Sequence, residues 1–321
     1  MNALTFRILL VFAIINSSLT ARAVNSPEEM LAAGRVDETI ATLNREISAT
    51  PNDPGLSNLL CRAYYQLEEW NEAESFCRKA VSMDPENSDF HLWLGRVYGE
   101  KASRTNFVAA ASLAGKVRAE FERAVQLNAK SLDARLDLTE FYVEAPGFMG
   151  GGEEKARQQA QSIGLLSQGR EHWVYARIAD HKKDPAIAER EYRQYIALSN
   201  GDSEAWLNLA LFLRRQTRVD DMEQAIVKLN QAPLSKAGSL VEAAAALYRT
   251  GRNYPLAAQI LRRYLVVGPV EDAPAFAAHY LLGEVLEKQG DKTGAASEYQ
   301  ASLQLARNFG PAQQALSRVS H

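Results

Sequence analysis

The sequence predicts an all-α fold, a right-handed solenoid of tandem helix hairpins, and three observations carry that prediction. Within Leu60 to Pro85, Leu60, Ala63, Tyr64 and Leu67 recur at three- and four-residue steps. After Trp70 and Asn71 the same period resumes with Ala73, Phe76, Cys77, Ala80 and Val81, until Pro85 stops it. Two short helices, each apolar on one face, then fold against each other as a hairpin. Pro51 precedes Pro85 by 34 residues, each following the polar end of an apolar run, so the hairpin recurs in tandem. Neither helix of such a unit can bury its apolar face alone, and stacked copies bury it together. The composition agrees: with 11 Pro in 321 residues, many Ala and Leu, and no alternating Val, Ile or Thr run, the chain suits helices better than strands.

Residues 1–23 read as a secretory signal peptide. A positive start from Met1 to Arg7 leads into the apolar run Ile8 to Ile15, and Thr20, Ala21, Arg22 and Ala23 supply a small-x-small cleavage site. A run this short does not cross a ~30 Å hydrocarbon core as a helix, so no stable membrane insertion of the mature chain is expected. Export places the mature chain, residues 24–321, in the periplasm or outside the cell. The formal net charge of −3 becomes −5 once Arg7 and Arg22 are removed. A mildly acidic chain lacks the basic footprint that nucleic acid requires.

The elements follow in order. Ser26, Pro27 and Glu29 form a capping box that starts a short helix ending near Gly34, and a second helix runs from about Asp37 to Ser48 with Ile40, Leu43 and Ile47 inward. This half-length hairpin is expected to cap the array. After the 60–85 unit, the third hairpin carries Leu94, Gly95 and Tyr98, and its second helix is expected over Val117 to Leu127 with Phe121 and Ala124 inward. The extra residues 101–115 either lengthen both helices or form a loop. The fourth hairpin carries Leu138 and Tyr142, then a glycine-rich turn, Ala145 to Ala156. That turn is no phosphate cradle: no strand leads in, the Gly-x4-Gly-Lys spacing is missing, and Glu153 and Glu154 repel anions. The fifth hairpin spans about Glu171 to Ser199, with Ala176, Ala188 and Tyr192 inward. Trp206, Leu209 and Ala210 open the sixth, Ala245, Tyr248, Ala257 and Leu261 mark the seventh, and Leu282, Gly283, Ala295 and Tyr299 the eighth. A lone capping helix is expected over Pro311 to Val319.

These residues carry a resemblance. Aromatic-x2-Leu-Gly-x2-Tyr, then Ala-x3-aromatic and a closing Pro, is similar to the tetratricopeptide repeat pattern, and the likeness runs through nearly the whole mature chain as about seven to eight hairpins including the N-terminal cap. The Ala-Pro-Gly-x2-Gly-Gly-Gly-x2-Lys-Ala turn resembles a variant found among exported bacterial tetratricopeptide proteins. The resemblance implies a binding scaffold whose concave face, lined by the first helix of each hairpin, holds a protein or peptide client in the cell envelope.

Projecting the helical period away from the packed positions places Asn58, Arg62 and Tyr65 on that face, then Asp89, Leu92 and Arg96, then Leu136 and Glu140, and finally Trp173, Arg177 and Asp180. Aromatic anchors beside arginine donors suit an extended or helical peptide. Replacing Arg62, Arg96 and Arg177 by alanine is then expected to weaken capture while leaving the melting temperature nearly unchanged. Phe148 and Met149, at the tip of the glycine-rich turn, form a further candidate contact. Trp70, Trp93 and Trp206 read as packing residues.

No catalytic, cofactor or metal site is read from the chain. The five histidines are scattered, none four residues from another, and there is no strand to carry a nucleophile elbow. Two other classes stay open: a helical hydrolase acting on an envelope glycan or peptide, and a self-associating structural element. Cys61 and Cys77, the only cysteines, lie about eight residues either side of the hairpin turn and hence at similar height, in a chain expected to meet an oxidising compartment. The family pattern instead pairs the Cys61 position with Ala73, so a disulfide and two buried thiols both remain open.

Overall fold

The computed structural model describes residues 26–320, and the expected signal peptide lies outside the described residues. Among them are seventeen α-helices, sixteen of which pair as eight antiparallel hairpins. The first comprises α1 (Pro27–Ala32) and α2 (Val36–Ala49), the second α3 (Pro54–Gln66) and α4 (Trp70–Met83). The third joins α5 (Ser88–Ser103) to α6 (Phe107–Leu127), and the fourth α7 (Leu132–Glu144) to α8 (Glu153–Gly164). Then follow α9 (Gln168–His181) with α10 (Pro185–Leu198), α11 (Ser203–Arg215) with α12 (Val219–Gln231), and α13 (Gly238–Arg249) with α14 (Tyr254–Val267). The eighth pairs α15 (Ala275–Lys288) with α16 (Lys292–Leu305), and α17 (Gly310–Val319) packs on both. No described helix is long and apolar enough to cross a membrane.

Short polar caps start these helices where the periodic apolar runs begin. Side chains of Asp53, Asn87, Asn106, Ser131, Ser167, Asp184, Asp202, Asn253 and Asp291 each accept a hydrogen bond from the first turn of the following helix. Each satisfies an amide that has no partner within its helix. The extra residues 101–115 lengthen both helices: α5 runs to Ser103, and α6 starts at Phe107, ten residues before the expected Val117. Asn106 caps the extension and its alanines favour helix, which is why no long loop forms.

Small residues let paired helices approach. Gly95 of α5 faces Phe121 of α6, and Gly283 of α15 faces Tyr299 of α16, with the rings lying where a Cβ would stand. Three histidines tie the helices of a hairpin together through Nδ1: His91 with Glu120 at 2.5 Å, His172 with Glu191 at 2.7 Å, and His279 with Glu298 at 2.6 Å. The sulfurs of Cys61 and Cys77 are bonded, joining α3 to α4 with their Cα atoms 5.1 Å apart and both residues fully buried.

The first hairpin departs from expectation. Instead of capping a free end, it packs against the eighth, so the array closes on itself. Leu31, Val36, Leu43, Leu59 and Leu60 share one buried cluster with Phe276 and Ala306 from the far end of the chain. Gly34, at φ +71°, lies so close to the Ala275 backbone that a Cβ there meets the Ala275 amide. Asp37 accepts a hydrogen bond from the Arg307 amide at 2.8 Å, and the Gln66 amide group donates to the Leu31 and Glu271 carbonyls at 3.2 and 3.1 Å.

Two predictions follow from this packing. Gly95→Ala drives a Cβ to 2.5 Å from the Phe121 ring and is expected to destabilise by about 1–3 kcal/mol in urea denaturation, whereas Gly99→Ala on the same helix meets nothing within 4 Å and is expected to stabilise by up to about 1 kcal/mol. Reducing the Cys61–Cys77 bond, which spans 16 residues, is expected to remove about 3 kcal/mol, read as a lower denaturation midpoint that a Cys61→Ser/Cys77→Ser variant reproduces without reductant.

Candidate functional site

Closure turns the concave face into the wall of a central chamber. Its volume is about 880 Å³, and it is bounded on one side by Tyr65, Trp70 and Trp93 and on the other by Tyr248, Tyr280 and Phe309. A second cavity of about 420 Å³ adjoins it, sharing Trp93, Arg96, Glu271 and Asp272. Cavities of this size and aromatic character are those that take ligands.

The loop before α15 carries Glu271 and Asp272 to the centre. Gly268, at φ +119°, ends α14, and Pro269 prevents its continuation. The fully buried Tyr264 then pins the loop: its hydroxyl accepts from the Val270 amide at 2.8 Å and donates to the Ala273 carbonyl. From there Glu271 takes the Arg62 guanidinium in a two-pronged ion pair, with Nε to Oε1 at 2.7 Å. Burial works against the Arg62 charge, but Glu271, then Asp89 and Glu28, outweigh it and hold the guanidinium above its ordinary pKa. Burial also opposes the Asp272 charge, yet Lys236 at 2.9 Å, helped by Arg96 and Arg62, keeps this carboxylate below its usual range.

Trp93 organises this region, contrary to its reading as a packing residue. The Arg62 and Arg96 guanidinium carbons lie 5.4 and 4.8 Å from its ring centre, and Tyr65 meets it edge to face at 5.4 Å. Tyr65 in turn meets Trp70 edge to face at 5.3 Å, and burial raises the pKa of its hydroxyl. Both tryptophans line the chamber. The signal was present in the sequence: Trp93 lies one position from Leu92 in the stripe Asp89, Leu92, Arg96, and family spacing drew it to the packed side.

The predicted residues divide into two groups. Tyr65 lines the chamber, Asn58, Arg62, Asp89 and Leu92 line the adjoining cavity, and Arg96 lines both. Glu140, Trp173, Arg177 and Asp180 line neither, because neighbouring hairpins consume their polar groups. Arg177 donates to Glu140 at 2.5 and 3.0 Å and to Glu144 at 2.6 Å, while Asp180 accepts from Arg215 at 2.7 Å and Gln216 at 3.2 Å. Trp173 packs between two core clusters and donates to Asn208 at 2.8 Å. Leu136 joins the core of the third to fifth hairpins. Phe148 is 76% exposed and stacks at 6.2 Å on the 67% exposed Phe107, so the glycine-rich turn meets the extension of α6. Met149 is half-buried beside it.

With this geometry in place, the class is an α-solenoid with tetratricopeptide-type hairpins. Residues 57–87 and residues 241–309 each match a tetratricopeptide repeat model. Among solved structures, the chain is similar to yeast Tom70 at 14% identity and a TM-score of 0.53, covering 98% of this chain and 66% of that one. It is also similar to Cut9–Hcn1 of the APC/C, at 13% identity and a TM-score of 0.40, covering 92% of this chain and 54% of that one. A tetratricopeptide repeat protein from Thermus thermophilus aligns at 18% identity and a TM-score of 0.45, over 61% of this chain and 99% of its own. At such identities the likeness speaks to fold alone. No curated protein sequence matches the chain.

The ion pairs revise one expectation. Arg62, Arg96 and Arg177 hold hairpins together through Glu271, Asp137 and Glu140, so alanine at all three lowers stability as well as any capture. Arg177→Ala by itself, leaving Glu140 and Glu144 without their shared donor, is expected to cost about 1–3 kcal/mol in urea denaturation.

Proposed function

We propose that the protein is a non-catalytic interaction scaffold of the bacterial cell envelope that holds a segment of a client polypeptide in its central chamber. The observation that carries this reading is the chamber itself: an enclosed wall of Tyr65, Trp70, Trp93, Tyr248 and Tyr280, with hydrogen-bonding groups among the rings. Aromatic side chains supply contact area at low entropic cost and anchor peptides in this way. The chamber carboxylates Glu204, Glu271 and Glu284 each hold an arginine, Arg170, Arg62 and Arg318 respectively, which suits a rigid wall better than proton transfer to a substrate. Tetratricopeptide repeats at both ends of the chain support the scaffold reading. The N-terminal apolar segment and the paired cysteines support export to the periplasm or beyond. The exposed pair Phe107 and Phe148, with Met149, supplies a second contact point outside the chamber.

A photo-crosslinking amino acid at Val241, on the chamber wall, tests the reading against the same group at Val266, which is 87% exposed on α14. In cells, a polypeptide adduct is expected from position 241 only, and Trp93→Ala is expected to reduce it severalfold. Equal adducts from both positions, or none from 241, would remove the chamber assignment.

A further inference from the structure

The cavity that adjoins the chamber differs from it in one respect. Around the chamber, carboxylates are committed to arginines and lysines. In the adjoining cavity, Glu28, Asp89 and Asp133 are exposed and form no ion pair among the described residues. They stand on α1, α5 and α7, each within the first helical turn, where the helix dipole favours the ionised carboxylate. The two arginines of this cavity cannot neutralise them, since Arg62 is held by Glu271 and Arg96 by Asp137. A second observation comes from Asn58. It lines the same cavity and is 4% exposed, yet its side-chain Nδ2 has no hydrogen-bond partner among the described residues. A buried amide left unpaired is costly, and a ligand carbonyl reached by a turn of this side chain satisfies it.

We propose that this cavity is the mouth through which the client segment enters, and that it receives a lysine or arginine side chain of that segment. The inference rests on the chamber reading and adds the chemistry of the occupant. Among the described residues, no three His, Cys, Asp or Glu converge closely enough to hold a metal ion, so the three carboxylates fit a cation that is extended rather than compact. A lysine or arginine meets that need, with an apolar stem and several N–H donors at its tip. Leu59, Leu92 and the Trp93 ring supply the apolar wall for the stem. The backbone of the same segment brings the carbonyl that Asn58 lacks, and its next residues reach the aromatic chamber past Trp93.

Fluorescence anisotropy of the full chain with short labelled peptides tests this. The peptides are alternating Leu and Ser with a single central Lys, and the same peptide with Ser or Glu in its place. The Lys peptide is expected to bind about fivefold more tightly than the Ser peptide, a preference that shrinks as salt is raised. Glu28→Gln/Asp89→Asn/Asp133→Asn is expected to erase that preference and leave the affinity for the Ser peptide unchanged. Asp133→Asn alone, on an exposed turn, is expected to reduce it in part and guards against misfolding of the triple variant. If the triple variant keeps the preference, or the Glu peptide binds as well as the Lys peptide, the mouth assignment is wrong while the chamber reading stands. If no peptide binds, or Trp93→Ala leaves all binding unchanged, the chamber reading falls and takes this inference with it.

Discussion

Contact between the two ends of the chain is the constraint on which the rest of the structure depends. A solenoid of helix hairpins has two exposed apolar ends, and each must be covered. Here Leu31, Leu43 and Leu59 cover one end with Phe276 and Ala306 from the other, while Gly34 allows the backbones to touch. The Arg62 and Glu271 pair spans the join from the inside. Two costs are removed at once: the apolar ends leave water, and a pair of charges that burial alone would penalise is satisfied. Without closure, the Tyr65 and Trp93 side would face open solvent, and no chamber would exist.

Closure also decides what the inner wall can do. Ion pairs between successive hairpins occupy the polar groups of the fourth to sixth, as the Arg177 and Asp180 networks show. That stretch of wall is a girder. Opposite it, where the second and third hairpins face the seventh and eighth, the ring leaves space and aromatic rings line it. Binding capacity therefore lies where the ends approach each other and not evenly along the concave face. The two irregular features of the chain, the long third hairpin and the glycine-rich turn, meet on the outside through Phe107 and Phe148.

Much of the architecture was legible in the sequence because helix hairpins are local. The three- and four-residue periods, the caps before each run and the prolines after them report contacts made within a few dozen residues. Tyr65, Arg62 and Arg96 were placed on the inner face by the same arithmetic, and the structure puts them on cavity walls. The start of α6 was less legible, since an alanine-rich stretch is compatible with either helix or loop until its cap and packing are known. Trp93 was misplaced because helical phase separates a packed from a cavity-lining position by a single residue step.

The sequence alone determined that this chain is a stack of antiparallel helix pairs, which residues form its ribbon-like core, and which face of each first helix turns inward. Those properties depend on short-range periodicity. Tertiary structure alone decided that the ring closes, that Glu271 reaches Arg62 across 209 residues, and that half of the inner face is consumed by its own ion pairs. Each of these depends on the summed curvature of eight hairpins, to which every join contributes a small rotation that no local pattern encodes.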